Sequence, residues 1–436
     1  MAFKAGAARS NLTPPLGTYM SGFFNERPAA DVHDELFAKA IVLKDDTTAI
    51  AIVVCDLILA EKDDLDRAKA RARELTGIPE EHIFISCTHT HYGPAVKELT
   101  YAWRDEEYVQ WAMRKTGDAV KLAQNRLQPA LMGHASAECA EETHNRRWHM
   151  KDGSVQMNPG FQNPDALRPA GPKDPEIGLV VLTDMNERPL AVLANYALHF
   201  VGSGDADAIS ANYFGAFDRA LQRMTGDEFV GVMANGCCGD INNHDFTRPK
   251  PRHPHPHYQV ERVADVVAAR TYAAWRTIRD YRADVSVAAH TEMMEFTRRQ
   301  STEEELNQAR EYLETGDRED LRRWAYANEI VELAREPVTR PTHVMGIRIG
   351  DVGIIGLPGE MFCDYGLQIK ARSPFERTLT VELANDYLGY CPTDAGLKQG
   401  GYETQLSRFA KAAEGTEGET VDTAVAVLEN LAARRS

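Results

Sequence analysis

Short runs rich in β-branched residues alternate along this chain with segments of helical period, and few folds can absorb that alternation. The runs are residues 49–59, 83–87, 190–198, 229–234, 344–349, 352–357 and 378–383. Their lengths and composition select strand over helix. Apolar residues recur at helical spacing in 63–75, 105–127, 213–224, 260–281, 302–313 and 318–334. Strands alternating with helices predict an α/β fold, its mixed or mainly parallel sheet covered by helices on both faces. One connection breaks a parallel pattern. Ile349-Gly350-Asp351-Val352 joins two strands directly and reads as a tight hairpin, so part of the sheet is antiparallel.

No internal repeat and no linker divides the 436 residues, which predicts one large domain over 1–436. Segment 151–176, rich in Gly, Pro, Asn and Asp, reads as a long ordered loop, and 250–257 as a rigid loop broken by proline. Residues 421–431 carry apolar positions at helical spacing and predict a last helix docked on the body. Hydrophobic residues at 43% and charged residues at 26% are ordinary for a folded protein. A formal net charge of -16 sets a polyanionic nucleic acid aside as partner. No leader pattern opens the chain, and the longest apolar run, 48–60, is interrupted by Asp56 and too short to span a bilayer. The seven cysteines are odd in number and form no CxxC pair, which argues against disulfides and zinc ribbons. A cytoplasmic chain acting on a small molecule, away from membranes, is the expectation; a homo-oligomer stays open.

The chemistry lies where the strands end. Run 83–87 leads into Thr88-His89-Thr90-His91-Tyr92-Gly93-Pro94, and 190–198 ends on His199. Run 229–234 leads into Asn235-Gly236-Cys237-Cys238-Gly239-Asp240-Ile241-Asn242-Asn243, and 352–357 into Pro358-Gly359-Glu360. Run 378–383 leads into Asn385-Asp386-Tyr387-Leu388-Gly389-Tyr390. Open α/β sheets bind ligands outside the carboxyl ends of their strands, so these ends predict a shared site. Imidazole is a common zinc ligand, and a catalytic zinc takes three protein ligands and a water. Each histidine by itself is equally well read as a core or surface residue with a hydrogen-bond partner.

Taken together, the segments resemble the neutral/alkaline ceramidases, a family of zinc amidases. Thr88-His89-Thr90-His91-Tyr92-Gly93-Pro94 is similar to that family's THTHSGP motif. Residues 11–22 and 33–40 resemble its opening and first strand, and Ala197-Leu198-His199 its second metal-histidine region. Pro358-Gly359-Glu360 matches its PGE, and Tyr387-Leu388-Gly389-Tyr390 with Gly401-Tyr402-Glu403 its tyrosine segment. The resemblance implies zinc held by His89, His199, Glu360 and Tyr390, with His91 behind them. It implies hydrolysis by a zinc-activated water, with His91 or Asp240 carrying the proton. Arg146 and Arg147 hold an oxyanion or a substrate carboxylate on this reading, or form a structural ion pair. His33 and Tyr402 fall in matching segments and are assigned to substrate binding.

The sequence departs from the ceramidases in two places. Their loop of the form NxGDxSPN supplies a serine nucleophile, and Asn242 stands at that position here. An amide holds a substrate oxygen but does not attack one. The chain also has no residues for the family's immunoglobulin-like C-terminal domain. Both departures turn the expectation from ceramide towards a small polar amide, ester or lactone. Two other readings compete: a noncatalytic binding protein on the same fold, and a parallel-barrel HxH amidohydrolase. The hairpin at 349–352 argues against the barrel, and the four candidate ligands against the binding protein. Cys237 and Cys238 read as small residues packed in a tight loop.

Overall fold

The computed structural model describes residues 3–99, 101–202, 205–226 and 228–434. Among these, the larger sheet has eight strands: β1 (Lys4–Asn11), β2 (Phe37–Lys44), β3 (Ala49–Cys55), β4 (Ile83–Cys87), β5 (Gln128–Glu138), β6 (Glu176–Asp184), β7 (Pro189–Tyr196) and β8 (Val230–Asn235). Their spatial order is β8-β7-β6-β5-β1-β2-β3-β4. Only β3–β4 and β7–β8 pair in parallel, so the sheet is mixed and largely antiparallel. A second sheet orders β9 (Val287–Thr297), β10 (Thr339–Ile349), β11 (Val352–Gly356) and β12 (Arg377–Val381). Ile349 pairs with Val352 across the expected hairpin, and β11–β12 is parallel.

Strand β3 shows why so much of the chain is apolar without alternation. Ile50, Ile52 and Val54 point into a layer shared by both sheets, with Ile347, Ile354 and Leu379 opposite. Ala51, Val53 and Cys55 point the other way, onto helices α1 (Lys62–Thr76) and α2 (Glu106–Asn125). Both faces are buried, so both are apolar. Helices α3 (Asn212–Thr225) and α4 (Tyr258–Trp275) cover β6–β8 on that same outer side. The layers therefore run helix, sheet, sheet, helix, as two sheets packed face to face require. The sheets interlock closely: a Cβ on Gly356 of β11 would sit 2.4 Å from the Phe84 ring on β4.

Helices α5 (Glu303–Thr315) and α6 (Leu321–Leu333) form an antiparallel hairpin inserted between β9 and β10. A capping box closes the start of α5: Thr302 accepts from the Glu305 backbone while the Glu305 carboxylate answers the Thr302 N–H. Ala309 is the buried residue of α5, whereas α6 turns Ala325, Tyr326, Ala327, Glu329 and Leu333 inward. Helix α7 (Cys363–Arg372) and the last helix, α8 (Thr416–Ala433), pack on the second sheet. No described helix is long and apolar enough to cross a membrane.

Strands β1, β5, β6 and β9 escape a reading by periodicity. Lys-Ala-Gly-Ala-Ala-Arg-Ser-Asn of β1 is built from small residues, and β9 mixes Ala, Met and Glu, which favour helix in isolation. Sheet pairing overrides those preferences. Segment 151–176 is not one loop: Val155–Met157 and Ala166–Pro169 flank Arg147–Met150 in a small sheet. Helix α4 stops at Trp275, short of the 281 read from its period. Ile52→Ala, opening a cavity between the sheets, should cost about 2–5 kcal/mol, read as a lower urea midpoint at unchanged slope. Glu303→Ala on α5 should move that midpoint by less than about 0.5 kcal/mol equivalent.

Candidate metal centre

Parallel pairing of Cys55 with Cys87 brings the ends of β3 and β4 together. The chain past β4 is then clamped by the chain past β3. The His89 backbone N–H donates to Leu57 O at 2.9 Å, and its ring Nδ1 donates to Ile58 O at 2.7 Å. His89 adopts φ 67°, a left-handed conformation that a non-glycine residue keeps only where its surroundings impose it. With Nδ1 committed, Nε2 presents its lone pair towards Glu360 Oε2, 3.4 Å away. His91 Nδ1 lies 3.1 Å from Gly22 O. Gly22 has φ +103°, and a Cβ there would come within 2.7 Å of the His91 ring, so only glycine fits. His199, just past β7, sets Nε2 3.0 Å from His91 Nε2 and accepts at Nδ1 from Arg146 Nη1 at 3.1 Å. The ring nitrogens of His89, His91 and His199 all lie within 4.8 Å of one another. His91, expected behind the ligands, belongs to the cluster itself.

Glu360 and Tyr390 face this trio from the second sheet. They are opposite residues in a short parallel pairing of Glu360–Met361 with Tyr390–Cys391. Glu360 Oε1 accepts from the Tyr387 hydroxyl at 2.9 Å, but Oε2 is buried with no hydrogen-bond partner. Burial pushes the His91 and His199 imidazoles well below their ordinary range, and Arg146 and the neighbouring rings add to it. These two rings are therefore neutral: His91 keeps its lone pair on Nε2, and His199, with Nδ1 taken by Arg146, donates from Nε2 to it. Burial raises the Tyr390 phenol, as does Glu360, against the pull of Arg146. Neutral imidazoles, a phenol and an orphaned buried carboxylate oxygen are a donor set that fits a divalent transition ion.

Behind the cluster, the fully buried Glu403 carboxylate holds two adjacent arginines. Oε1 accepts from Arg146 Nε at 2.8 Å and Oε2 from Arg147 Nη1 at 3.1 Å. Arg146 turns towards the site, its guanidinium carbon 5.4 Å from the Tyr390 ring centre. Arg147 turns the opposite way, as the next residue of an extended segment must. It donates to Gly400 O at 2.9 Å and Gly396 O at 3.3 Å and lies over Phe362. Arg147, assigned to catalysis, instead ties down the 396–403 segment.

Three further sequence-derived candidates lie apart from the cluster. Asp240 accepts from Cys363 N at 2.8 Å and from Asn145 Nδ2 at 2.6 Å, and burial raises its carboxyl to about 6. Both oxygens are committed to joining its loop to α7, so the geometry gives it no proton to carry for a substrate. Asn242 is equally engaged: Nδ2 donates to Asn158 Oδ1 and Oδ1 accepts from the His244 N–H. His33 is exposed and stacks on His257, ring centres 3.4 Å apart, lining a different cavity with Asp218 and Arg219. The Cys238 thiol is buried beside Glu382, to which it donates at 2.9 Å, and burial pushes it well up. That is an inert thiol.

A pocket opens onto His89, His91, Glu360, Tyr390 and Tyr402. Its remaining walls are overwhelmingly apolar: Phe23, Phe24, Ile58, Leu59, Leu99, Ala102, Ala325 and Phe409. The sequence leads to the expectation of a small polar substrate, whereas these walls are mainly apolar and are collected from single residues on several separate segments. Tyr387 and Glu403 lay inside recognised motifs without an assigned task; the apolar wall had no local signal at all.

The fold is ceramidase-like. The chain superposes on neutral ceramidase from Pseudomonas aeruginosa with a TM-score of 0.76 at 17% sequence identity, covering 99% of this chain and 75% of that one. A structure described as a ceramidase complexed with C2 gives a TM-score of 0.78 at 16% identity, over 100% of this chain and 76% of that chain. No protein-family profile and no curated protein matches the sequence. Tyr387→Phe removes the hydroxyl that orients Glu360, and should weaken zinc binding about 10–100-fold in a competition titration with the fold intact. An unchanged affinity would show that Glu360 needs no such partner.

Proposed function

We propose that this protein is a metal-dependent hydrolase that cleaves an amide or ester bond. The observation that carries the reading is Glu360 Oε2, buried and without a hydrogen-bond partner, beside the His89, His91 and His199 imidazoles at an open pocket. Zinc suits the donor set best, with His89, His199, Glu360 and Tyr390 as holders and His91 within the same reach. A divalent ion there supplies Lewis acidity towards a carbonyl oxygen and towards water.

The chain's own residues account for the rest. His91 lines the pocket, and its Nδ1–H bond to Gly22 O leaves the lone pair on Nε2, which faces His199 Nε2 at 3.0 Å. With His199 engaged by a metal, that lone pair would accept a proton from an attacking water and return it to the leaving group. Arg146, its charge backed by Glu403, sits beside Tyr390 where negative charge develops on the substrate oxygen. A covalent route lacks a nucleophile. Asn242 occupies the position of the ceramidase serine with both amide atoms engaged, and Cys238 is a buried thiol. Water therefore attacks directly.

His89→Ala should lose the metal, measured by elemental analysis, and with it hydrolysis of acyl esters and anilides. His91→Ala should keep the metal and lose about 10²–10⁴-fold in kcat. Cys238→Ala should keep most activity. A fully active, metal-free preparation, or an acyl adduct trapped on any side chain by mass spectrometry, would sink the reading.

A further inference from the structure

One wall of the pocket is built from aromatic rings in mutual contact. Tyr390 meets Tyr402 at 5.8 Å between ring centres, and Tyr402 meets Phe24 at 6.4 Å. Phe24 in turn meets Tyr326 of α6 at 5.9 Å, and Phe409 packs 6.4 Å from Phe24 and 5.8 Å from Tyr326. The row of rings leads from the metal ligands to the inserted hairpin and stops there. Ala325 and Glu329, on the same helix, line the pocket at that point.

Helix α6 is locked in place. Glu329, buried, receives Arg408 Nη2 at 2.6 Å and Nε at 2.8 Å, a bidentate pair that neutralises the one carboxylate in this part of the wall. The polar groups at this end are the Tyr326 and Tyr402 hydroxyls and Arg322, whose guanidinium lies over both rings. The pocket lining itself is mainly ring and aliphatic carbon, on which an apolar group trades water for contact.

We infer that the site selects a compact apolar acyl or aryl group, and that Phe24, backed by Tyr326, sets the limit on its length. The inference rests on the hydrolase reading above and specifies its substrate class. Each methylene buried in the pocket tightens binding roughly fourfold. Once the chain reaches the ring wall, further methylenes meet a close-packed surface anchored by the Glu329–Arg408 pair and affinity falls.

The test is isothermal titration calorimetry of the zinc-loaded full chain with acetyl, hexanoyl, dodecanoyl and hexadecanoyl hydroxamic acids, whose headgroup binds zinc without being hydrolysed. The native chain should bind the hexanoyl compound roughly tenfold or more tightly than either the acetyl or the hexadecanoyl compound. Phe24→Ala and Tyr326→Ala should each move the optimum to longer chains, and Ala325→Phe, which fills the pocket, should move it to shorter ones. Zinc content and circular dichroism establish that each variant is folded. Affinity rising through hexadecanoyl in the native chain, or a preference unmoved by all three substitutions, overturns the length limit and leaves the hydrolase reading standing. Failure of every hydroxamate to bind zinc-loaded protein overturns both.

Discussion

Face-to-face packing of the two sheets is the contact on which everything else depends, because the candidate metal centre straddles it. His89 and His199 extend from the larger sheet and Glu360 and Tyr390 from the smaller. Neither sheet carries a complete donor set. The apolar layer between them, with Ile52, Val54, Phe84, Ile354 and Leu379, sets their spacing. Near the site this layer gives way to hydrogen bonds across the seam. Asn195 Nδ2 donates to both Ala234 O and Thr380 O, Asn385 exchanges bonds with Ile85, and the Glu382 N–H donates to Asn235 O. Directional bonds replace non-directional packing where sub-ångström placement of ligands matters.

The buried carboxylates next to the site are each answered differently. Glu403 is shared between two guanidinium groups, and removing it would leave both without their shared carboxylate, a loss of about 3–5 kcal/mol. Glu382, with no cation beside it, is pushed well above the usual carboxylate range by burial and takes the Cys238 N–H and thiol as donors. Glu360 has the Tyr387 hydroxyl on one oxygen, while the other makes no hydrogen bond and faces His89 Nε2 at 3.4 Å. A bound cation removes the imbalance, which ties the folding energetics of this region to metal occupancy.

How much of this was legible in the sequence follows from which signals are local. Strand β4, with its β-branched run and the histidines behind it, was read to the residue, because burial on both faces leaves a dense apolar mark. Strands β1 and β9 left no such mark, since partners distant in sequence make them strands. The same distinction holds in the site. His89, His199, Glu360 and Tyr390 follow strands in short motifs that the resemblance picks out, and the fold brings them to one place. Arg146 and Arg147 stood side by side, and only the backbone alternation of the folded segment says which one faces the imidazoles. Asp240 looked like a proton carrier because it is acidic and sits in the right loop; the partners on both its oxygens are visible only in three dimensions. The apolar pocket wall is non-local in the same way, since Phe24, Leu99, Ala325 and Phe409 converge from segments far apart in sequence.

The division of labour between scaffold and hairpin has a structural logic. Ligands stand on strand ends held by two sheets, whereas Ala325, Tyr326 and Glu329 stand on an appendage. Strands β9 and β10 run in continuous antiparallel register from Val287↔Ile349 to Thr297↔Thr339, and α5 and α6 begin and end outside that register. Length or sequence changes in the hairpin therefore leave the sheet pairing untouched, while each one remodels one wall of the pocket. Such a site separates what must stay rigid for metal binding from what can vary with substrate. Fold similarity can then persist at 16–17% identity while the wall that meets the substrate is rebuilt.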